Sequence, residues 1–532
     1  MKTRCDLLRT QVLVIGGGVT GAGIVRDLAL RGVHCILVEK RDVNAGASGG
    51  NHGLLHSGAR YVLSDPAAAV ECREEGELLK RLAPQCIEDT GGLFVAVPGD
   101  DESYAADFPG LCARAGIAAR PVSPAEALAM EPALSRDLVA AFQVPDASID
   151  PFRLSLEMIA HARELTGSIF LRGILVSGFE IAKGRIVSVH CLEERTGRKV
   201  VIEPEQVVNA AGAWSGKVAA LAGATIPVLY SSGTLLVTSE RIARRVINRL
   251  RPPADGDILV PGGTVSILGT TSVRIADPDQ CRPSTVEADL NIEQGARMIP
   301  ALRTARYIRA YSGVRPLLMA DAGAGDDRAQ SRGFALFDHQ TDGLANFLTV
   351  TGGKLTTFRL MAEKVVDQVA RRLGVYAPCL TRGAPLPETG VCGWTGPGRA
   401  PHAWLAHPEE DGPLLCECEM VSARAVDEIV QGCRVDANDY GISALSLRSR
   451  VGKGSCQGAF CGMRVAAHLY DSGKYTSWRG LLSMRNFFAG RFKGQRPILW
   501  GAQMRQQELA EALHCGLLGL ELVPSHKPDE VR

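Results

Sequence analysis

The segment Val12-Leu-Val-Ile-Gly16-Gly-Gly18-Val-Thr-Gly21, with His34-Cys-Ile-Leu-Val38-Glu39 after it, decides the fold. Val12–Ile15 is an apolar run of buried-strand type. Beyond Gly21, Ile24 and Leu28 stand four apart on one face of a helix that ends near Gly32. His34–Val38 is a second apolar run, closed by Glu39. Strand, glycine turn, helix and strand make a βαβ unit, and Gly16, Gly18 and Gly21 have the G-x-G-x-x-G spacing of dinucleotide-binding folds. The first glycine permits the tight turn, the second lets backbone approach a pyrophosphate, and the third lets the helix pack close to the strand. A helix beginning near Thr20 turns its free N–H groups and positive end toward the phosphates. Glu39 is placed to accept hydrogen bonds from ribose hydroxyls and to repel a 2′-phosphate.

NAD and FAD share this fingerprint, and the next residues separate them. Arg41–Tyr61, rich in Gly, Ser, Asn and His, is far longer than a usual βα connection of about 2–6 residues. A flavin needs such a loop, because its ring system extends past the pyrophosphate and must be wrapped. Asn209-Ala-Ala-Gly212 ends another strand in small residues that admit a flat ligand. Phe347–Val350 runs through Gly352-Gly353-Lys354 into a helix whose N-terminus is expected to face the flavin edge that gains negative charge on reduction.

Composition narrows the rest. The chain has 532 residues, hence roughly three to four structural units. Lys+Arg is 59 and Asp+Glu 58, a net charge of +1, so no basic excess argues for nucleic acid. Apolar residues at 46% and charged residues at 22% suit a globular protein. Gly is 58 residues, above the usual share of about 7%. No apolar run reaches the ~20 residues that span a bilayer, and Met1–Gln11 lacks the apolar centre of a signal peptide, so a cytoplasmic location is expected.

Longer stretches carry a family likeness. Gly16–Ile24, Asn51-His-Gly-Leu-Leu-His-Ser-Gly-Ala-Arg-Tyr61, Tyr311-Ser-Gly-Val-Arg-Pro-Leu317, Thr351-Gly-Gly-Lys-Leu-Thr-Thr-Phe-Arg359 and Pro497-Ile-Leu-Trp-Gly501 resemble the FAD-dependent glycerol-3-phosphate dehydrogenase family. The cysteine-bearing C-terminus resembles, within it, the A subunits of the anaerobic enzymes. The likeness covers nearly the whole chain. It implies oxidation of sn-glycerol 3-phosphate to dihydroxyacetone phosphate by hydride transfer to FAD. Electrons would then reach membrane quinone via an iron–sulfur cluster and partner subunits, a companion flavoprotein subunit and a membrane-anchoring iron–sulfur subunit. The chain itself would sit peripherally on the cytoplasmic side of the inner membrane, and FMN is a further cofactor that the likeness allows.

By the same match, Arg60 and Tyr61 bind the phosphate, Thr270 lines the pocket, and Arg315 and Lys354 stabilise the alkoxide that develops at the reacting hydroxyl. Gly16, Gly18, Gly21, Glu39, Ser48, Gly212 and Gly353 hold FAD. The base is the departure from the pattern. Aerobic relatives carry K-G-S-H beside the flavin, whereas this chain has Ser232-Gly-Thr-Leu235. His56, or a water held by Arg315 or Lys354, is then the candidate to take the hydroxyl proton. A changed pocket also leaves room for an amine or a 2-hydroxy acid as substrate, or for an FAD-binding electron-transfer subunit without turnover.

Fifteen cysteines without an export signal do not suggest disulfides. Four of them, Cys416-Glu-Cys418 and Cys456-Gln-Gly-Ala-Phe-Cys461, form C-x-C and C-x₄-C pairs, unlike the C-x₂-C pairs of zinc ribbons. Four thiolates can hold a [2Fe–2S] cluster, with zinc as the alternative, and Gly452, Gly454 and Gly458 leave N–H groups free to approach sulfide. The segment resembles the bacterioferritin-associated ferredoxin-like [2Fe–2S] domain. Cys433 lies between the pairs without ligand spacing and reads as a core thiol.

The expected architecture is α/β: a FAD-binding, Rossmann-like fold of D-amino-acid-oxidase type over 1–375. Its FAD-binding parts lie at about 10–65, 150–220 and 340–375, with an antiparallel-sheet substrate region interleaved at about 66–149 and 221–339. A Pro/Gly-rich linker over 376–412, a small helical Cys₄ [2Fe–2S] domain over 413–472 and a helical tail over 473–532 follow.

Overall fold

The computed structural model describes residues 6–194, 196–318, 333–436 and 441–523, so the polar C-terminal end lies outside the described residues. The chain divides into two compact units. The first takes the chain to Glu194, Arg198–Ala305 and Tyr311–Pro387; the second is Glu388–Arg532 with Arg195–Gly197 and Arg306–Ala310.

In the first unit, strand β1 (Asp6–Ile15), helix α1 (Val19–Leu30) and strand β2 (Cys35–Glu39) are the βαβ opening. β1 lies between β2 and strand Arg198–Asn209, parallel to both, with Ile15 opposite Val38 and Asn209. Ile169–Arg172 extends the parallel sheet beyond β2, and Phe347–Gly352 extends it beyond Arg198–Asn209. The strands at its centre read as unbroken apolar runs because helices and a strand meander cover them. The meander is Ile174–Ala182 and Arg185–Glu193, antiparallel, leading back to Arg198–Asn209.

α1 packs against helices Pro151–Thr166 and Phe358–Leu373. Its glycines make this possible. A Cβ on Gly21 would run into the Gly16 carbonyl oxygen, and one on Gly23 would stand 2.9 Å from Phe358 Cδ2. Gly16 has φ +115°, open only to glycine, and its N–H donates to the Val38 carbonyl.

The interleaved sheet runs Val273–Ile275, Val228–Thr238, Val265–Gly269, Ile258–Gly262, Val246–Arg249, Gly92–Ala96, Ala140–Val144, Arg120–Val122, with Tyr307–Leu318 beside Val228–Thr238. It is antiparallel as expected at most joins, but Val246–Arg249 and Gly92–Ala96 run parallel, which makes the sheet mixed. The strand Phe334–Asp338, expected with the substrate region, pairs instead with Phe347–Gly352 on the nucleotide-binding sheet.

The final Arg of the Thr351–Arg359 motif is structural. Arg359 donates to both carboxylate oxygens of Glu75, at 2.6 and 2.7 Å, and to Glu363 and Thr381, with Arg359 and Glu75 only 3% exposed. The ion pair ties helix Phe358–Leu373 to helix Pro66–Leu82. Residues 376–387 of the Pro-rich stretch lie along the same unit: Arg26 donates to the Ala384 and Pro385 carbonyls, and Leu386 N–H to Leu82.

The second unit is helical, with a short hairpin of Leu414–Cys416 and Val421–Ser422. Its core joins Trp394 and Ala400 from the Pro-rich stretch, Val426, Ile429, Cys433 and Val465, and Phe487, Phe488 and Phe492 from helix Trp478–Gln495. The cysteine-bearing segment therefore closes its core only with residues from both flanking segments.

Glu75→Ala would leave Arg359 buried with fewer partners, and truncating one side of a buried pair costs about 3 kcal/mol or more. Urea unfolding of the first unit, followed by tryptophan or flavin fluorescence, should show that loss, whereas Glu74→Ala, at the exposed neighbour, should stay within about 0.5 kcal/mol.

Candidate active site and thiol group

One cavity of about 490 Å³ opens at the carboxyl ends of the parallel strands of the first unit, within the size range of small-molecule and cofactor sites. Gly16, Gly18, Glu39, Ser48, Gly212 and Gly353 line it toward the nucleotide-binding turn; His56, Arg60, Tyr61, Thr270, Arg315 and Lys354 line the rest. Gly21 does not line it and serves the packing of α1 on the turn.

The turn is built to receive phosphate. α1 has no side-chain cap, so the amides of its first turn stay open except Val19 N–H, which donates to Ser48 Oγ at 3.0 Å. A Cβ on Gly18 would come within 3.1 Å of that hydroxyl. Glu39 is held by the N–H groups of Gly17 and Arg41, at 2.7 and 2.8 Å, and burial is the main influence, raising its pKa. Gly212, at φ +56°, opens a 3₁₀ turn after Asn209, whose amide is anchored on Ser215 O and Thr349 Oγ1. Gly352 and Gly353 both have positive φ, and a Cβ on Gly353 would meet Met361 Sδ at 2.5 Å. The helix expected to start there begins at Phe358 instead, after a turn in which Lys354 N–H meets Thr357 Oγ1 at 3.3 Å.

At the other end stand the cations. Arg60 Nη2 donates to Asp257 Oδ2 at 3.1 Å, while its Nη1 is buried without a hydrogen-bond partner. Asp257 is fully buried and also takes Arg251 at 2.7 and 2.9 Å, so one carboxylate stands between two guanidiniums. Arg315 Nη2 donates to Thr270 Oγ1 at 3.0 Å and to Thr271 O at 3.1 Å. Gly233 makes room for it, since a Cβ there would collide with that same nitrogen. Lys354 Nζ lies 4.9 Å from the centroid of the Tyr61 ring, and the Tyr61 hydroxyl meets His56 Nε2 at 3.4 Å. Leu235 lines the cavity with an apolar side chain.

A residue not singled out from the sequence also lines the cavity: His52, within the quoted Asn51–Tyr61 motif. Its ring hydrogen-bonds the Gly269 backbone, and its Nε2 is buried without a partner. Burial, and then the charges of Arg315 and Arg60, lower its pKa to about 3 against the pull of that hydrogen bond. Only the N-H-G spelling inside a long loop could have drawn attention to it.

The second unit links the four singled-out cysteines in pairs. Cys461 shares hydrogen bonds with Cys416 and Cys456, and Cys418 with Cys456. Backbone N–H groups also point at sulfur: Glu419 and Gly452 at Cys416, Phe460 and Gly458 at Cys456. The hydrogen bond from Cys461, helped by those amides, draws Cys456 down to about 4, and the same sharing pushes Cys461 up. Among the described residues, no three His, Cys, Asp or Glu side chains are grouped to hold a metal ion. No helix among them is long and apolar enough to cross a membrane.

Comparison with known proteins gives the family. The model of the family "FAD dependent oxidoreductase" matches residues 11–368. The A subunit of the anaerobic glycerol-3-phosphate dehydrogenase of Escherichia coli K12 is 41% identical, covering 98% of this chain and 99% of its own. The protein of the same name from Haemophilus influenzae is 39% identical, over 96% and 94%. The glycerol-3-phosphate dehydrogenase from Bacillus halodurans, solved with FAD, superposes with a TM-score of 0.63 at 20% identity, over 93% of this chain and 96% of that one, which supports the fold. The chain therefore belongs to the FAD-dependent oxidoreductase family, among the A subunits of anaerobic glycerol-3-phosphate dehydrogenases.

Proposed function

We propose that this chain oxidises sn-glycerol 3-phosphate to dihydroxyacetone phosphate on FAD and hands the electrons to a [2Fe–2S] cluster in its second unit. The observation that carries the reading is Arg60, a fixed cation whose Nη1 is buried without a partner in the same cavity as Arg315, Lys354 and the open turn of α1. A buried, unpaired guanidinium N–H calls for an anionic oxygen. Asp257 holds the Arg60 fork, and Arg251 offsets the charge of Asp257, so the corner stays cationic toward a phosphate. A phosphate monoester brings up to two negative charges to that corner, a 2-hydroxy acid one and a simple amine none.

FAD supplies the two-electron acceptor. The residues present suit it: Gly16 and Gly18 leave room for a pyrophosphate beside the open amides of α1, Glu39 is in reach of ribose hydroxyls, and Gly212 and Gly353 leave backbone bare where a flat ring would lie. Arg60 and Tyr61 bind the substrate phosphate, Thr270 fixes Arg315, and Arg315 with Lys354 stabilises negative charge on the reacting oxygen. His56 packs at 5.2 Å from Tyr61 and keeps that ring in place, beyond its candidacy as proton acceptor.

The four thiols, joined in pairs and not gathered around one point, supply with their neighbouring amides the ligand type of a [2Fe–2S] cluster, which takes cysteine thiolates two to each iron. Held by Cys416, Cys418, Cys456 and Cys461, such a cluster would supply one-electron transfer after the two-electron chemistry of FAD. The names of the relatives call them A subunits, which supports companion chains, through which this chain reaches membrane quinone from the cytoplasmic face of the inner membrane. The same likeness allows FMN as a second flavin.

Anaerobic mixing of the FAD-loaded protein with glycerol 3-phosphate should bleach the flavin; bleaching by lactate or an amine alone would overturn the substrate. Arg60→Gln should raise KM for glycerol 3-phosphate roughly 10–100-fold, the worth of a hydrogen bond to a charged group, with FAD content unchanged. Cys456→Ser should abolish the reduced-state EPR signal of the cluster and lower bound iron while bleaching persists. Wild-type protein without iron or that signal would sink the cluster assignment.

A further inference from the structure

An alcohol cannot lose hydride while it keeps its hydroxyl proton, so the cavity must hold an acceptor. Leu235, at the place where aerobic relatives carry histidine, cannot be that acceptor. His56 engages the Tyr61 hydroxyl through Nε2. The geometry points to His52 as the group that takes the proton from the substrate hydroxyl, an assignment that rests on the alcohol oxidation proposed above.

Three observations converge on His52. Its ring lies in the wall of the cavity that also holds Arg60, Arg315 and Lys354. Its Nε2 is the nitrogen without a partner, so the bond to the Gly269 backbone is made by Nδ1. A ring nitrogen bonded to a carbonyl carries the proton, and this fixes the tautomer with a lone pair on Nε2. Buried polar atoms are normally paired, so an acceptor held open in a ligand cavity is an exception that a bound hydroxyl would resolve.

Gly269 also precedes Thr270, whose hydroxyl accepts from Arg315. One turn therefore anchors both the imidazole and the guanidinium. The proton acceptor and the cation that stabilises the developing alkoxide are set by the same short stretch of backbone.

Burial first, and then the charges of Arg315 and Arg60, keep the imidazole neutral. A phosphate dianion docked on Arg60 offsets one of them. Substrate binding thus raises the basicity of His52 at the moment a base is needed. In the step itself the O–H bond breaks and its proton goes to Nε2. The C2–H bond breaks with its electron pair, delivered as hydride to FAD, and the C=O bond forms. The substrate loses two electrons and FAD gains them.

The test compares His52→Gln and His52→Asn with wild-type FAD-loaded protein. Anaerobic bleaching at saturating glycerol 3-phosphate is expected to slow roughly 10²–10⁴-fold in both, the range for a lost general base. Two further readouts separate chemistry from structure: FAD content, and the affinity for dihydroxyacetone phosphate taken from the flavin difference spectrum. Both are expected to stay close to wild type. Bleaching near the wild-type rate in either variant overturns the assignment. So does loss of FAD or of product affinity in both, which would make His52 a structural residue, and so does a comparable fall in His56→Asn alone. Wild-type protein that bleaches with a 2-hydroxy acid and not with glycerol 3-phosphate overturns the substrate instead, and the His52 variants are then compared with that acid.

Discussion

The carbonyl of Gly16 and the first turn of α1 come so close that only hydrogen fits on Gly21 between them. That approach sets the rest of the first unit. It presses α1 onto the ends of β1 and β2 and leaves its unsatisfied amides pointing past the strands. There the Gly16 N–H reaches Val38, and Ala210 N–H reaches Ile15. Three strand ends and one helix start are thereby gathered at one point, and the cavity is what remains open beside it. A Cβ on Gly16 would stand 2.5 Å from the Ala210 carbonyl, so the floor at Ala210–Gly212 and the glycine turn are mutually dependent.

Charge is arranged around that opening by unequal pairing. Asp257, fully buried, carries two arginines, and Glu75 carries one that is itself shared with Glu363. The first grouping leaves a cation with spare donors facing the cavity; the second is closed and serves the scaffold. Arg60 and Arg359 each belong to a long motif, yet Arg60 shares one carboxylate with Arg251 whereas Arg359 has Glu75 and Glu363.

The sequence made the βαβ unit, the long loop and the cavity-lining residues legible because they depend on local chemistry: glycines where a Cβ cannot go, and an acid at a strand end. Contacts between distant segments were not legible. Nothing near Arg359 announces Glu75 as its partner, and nothing near His52 announces the Gly269 backbone. The start of helix Phe358–Leu373 at Phe358 and not at Gly353 follows from two successive glycines at positive φ, which extend the turn before helical geometry begins. The Pro-rich stretch reads as linker by composition, yet Trp394 and Ala400 lie in a core. Proline density reports where helices and strands are interrupted, not whether a segment is packed.

Phe487 is wedged against Gly452, Gly458 and Gly462, and a Cβ on any of the three would stand 3.0 Å or less from its ring. These glycines belong to the stretch that carries Cys456 and Cys461, whereas the ring belongs to a helix that begins at Trp478. During synthesis the cysteine loop leaves the ribosome before the helix that shapes it. The loop that carries two of the thiols therefore takes its native shape only once that later helix has packed against it.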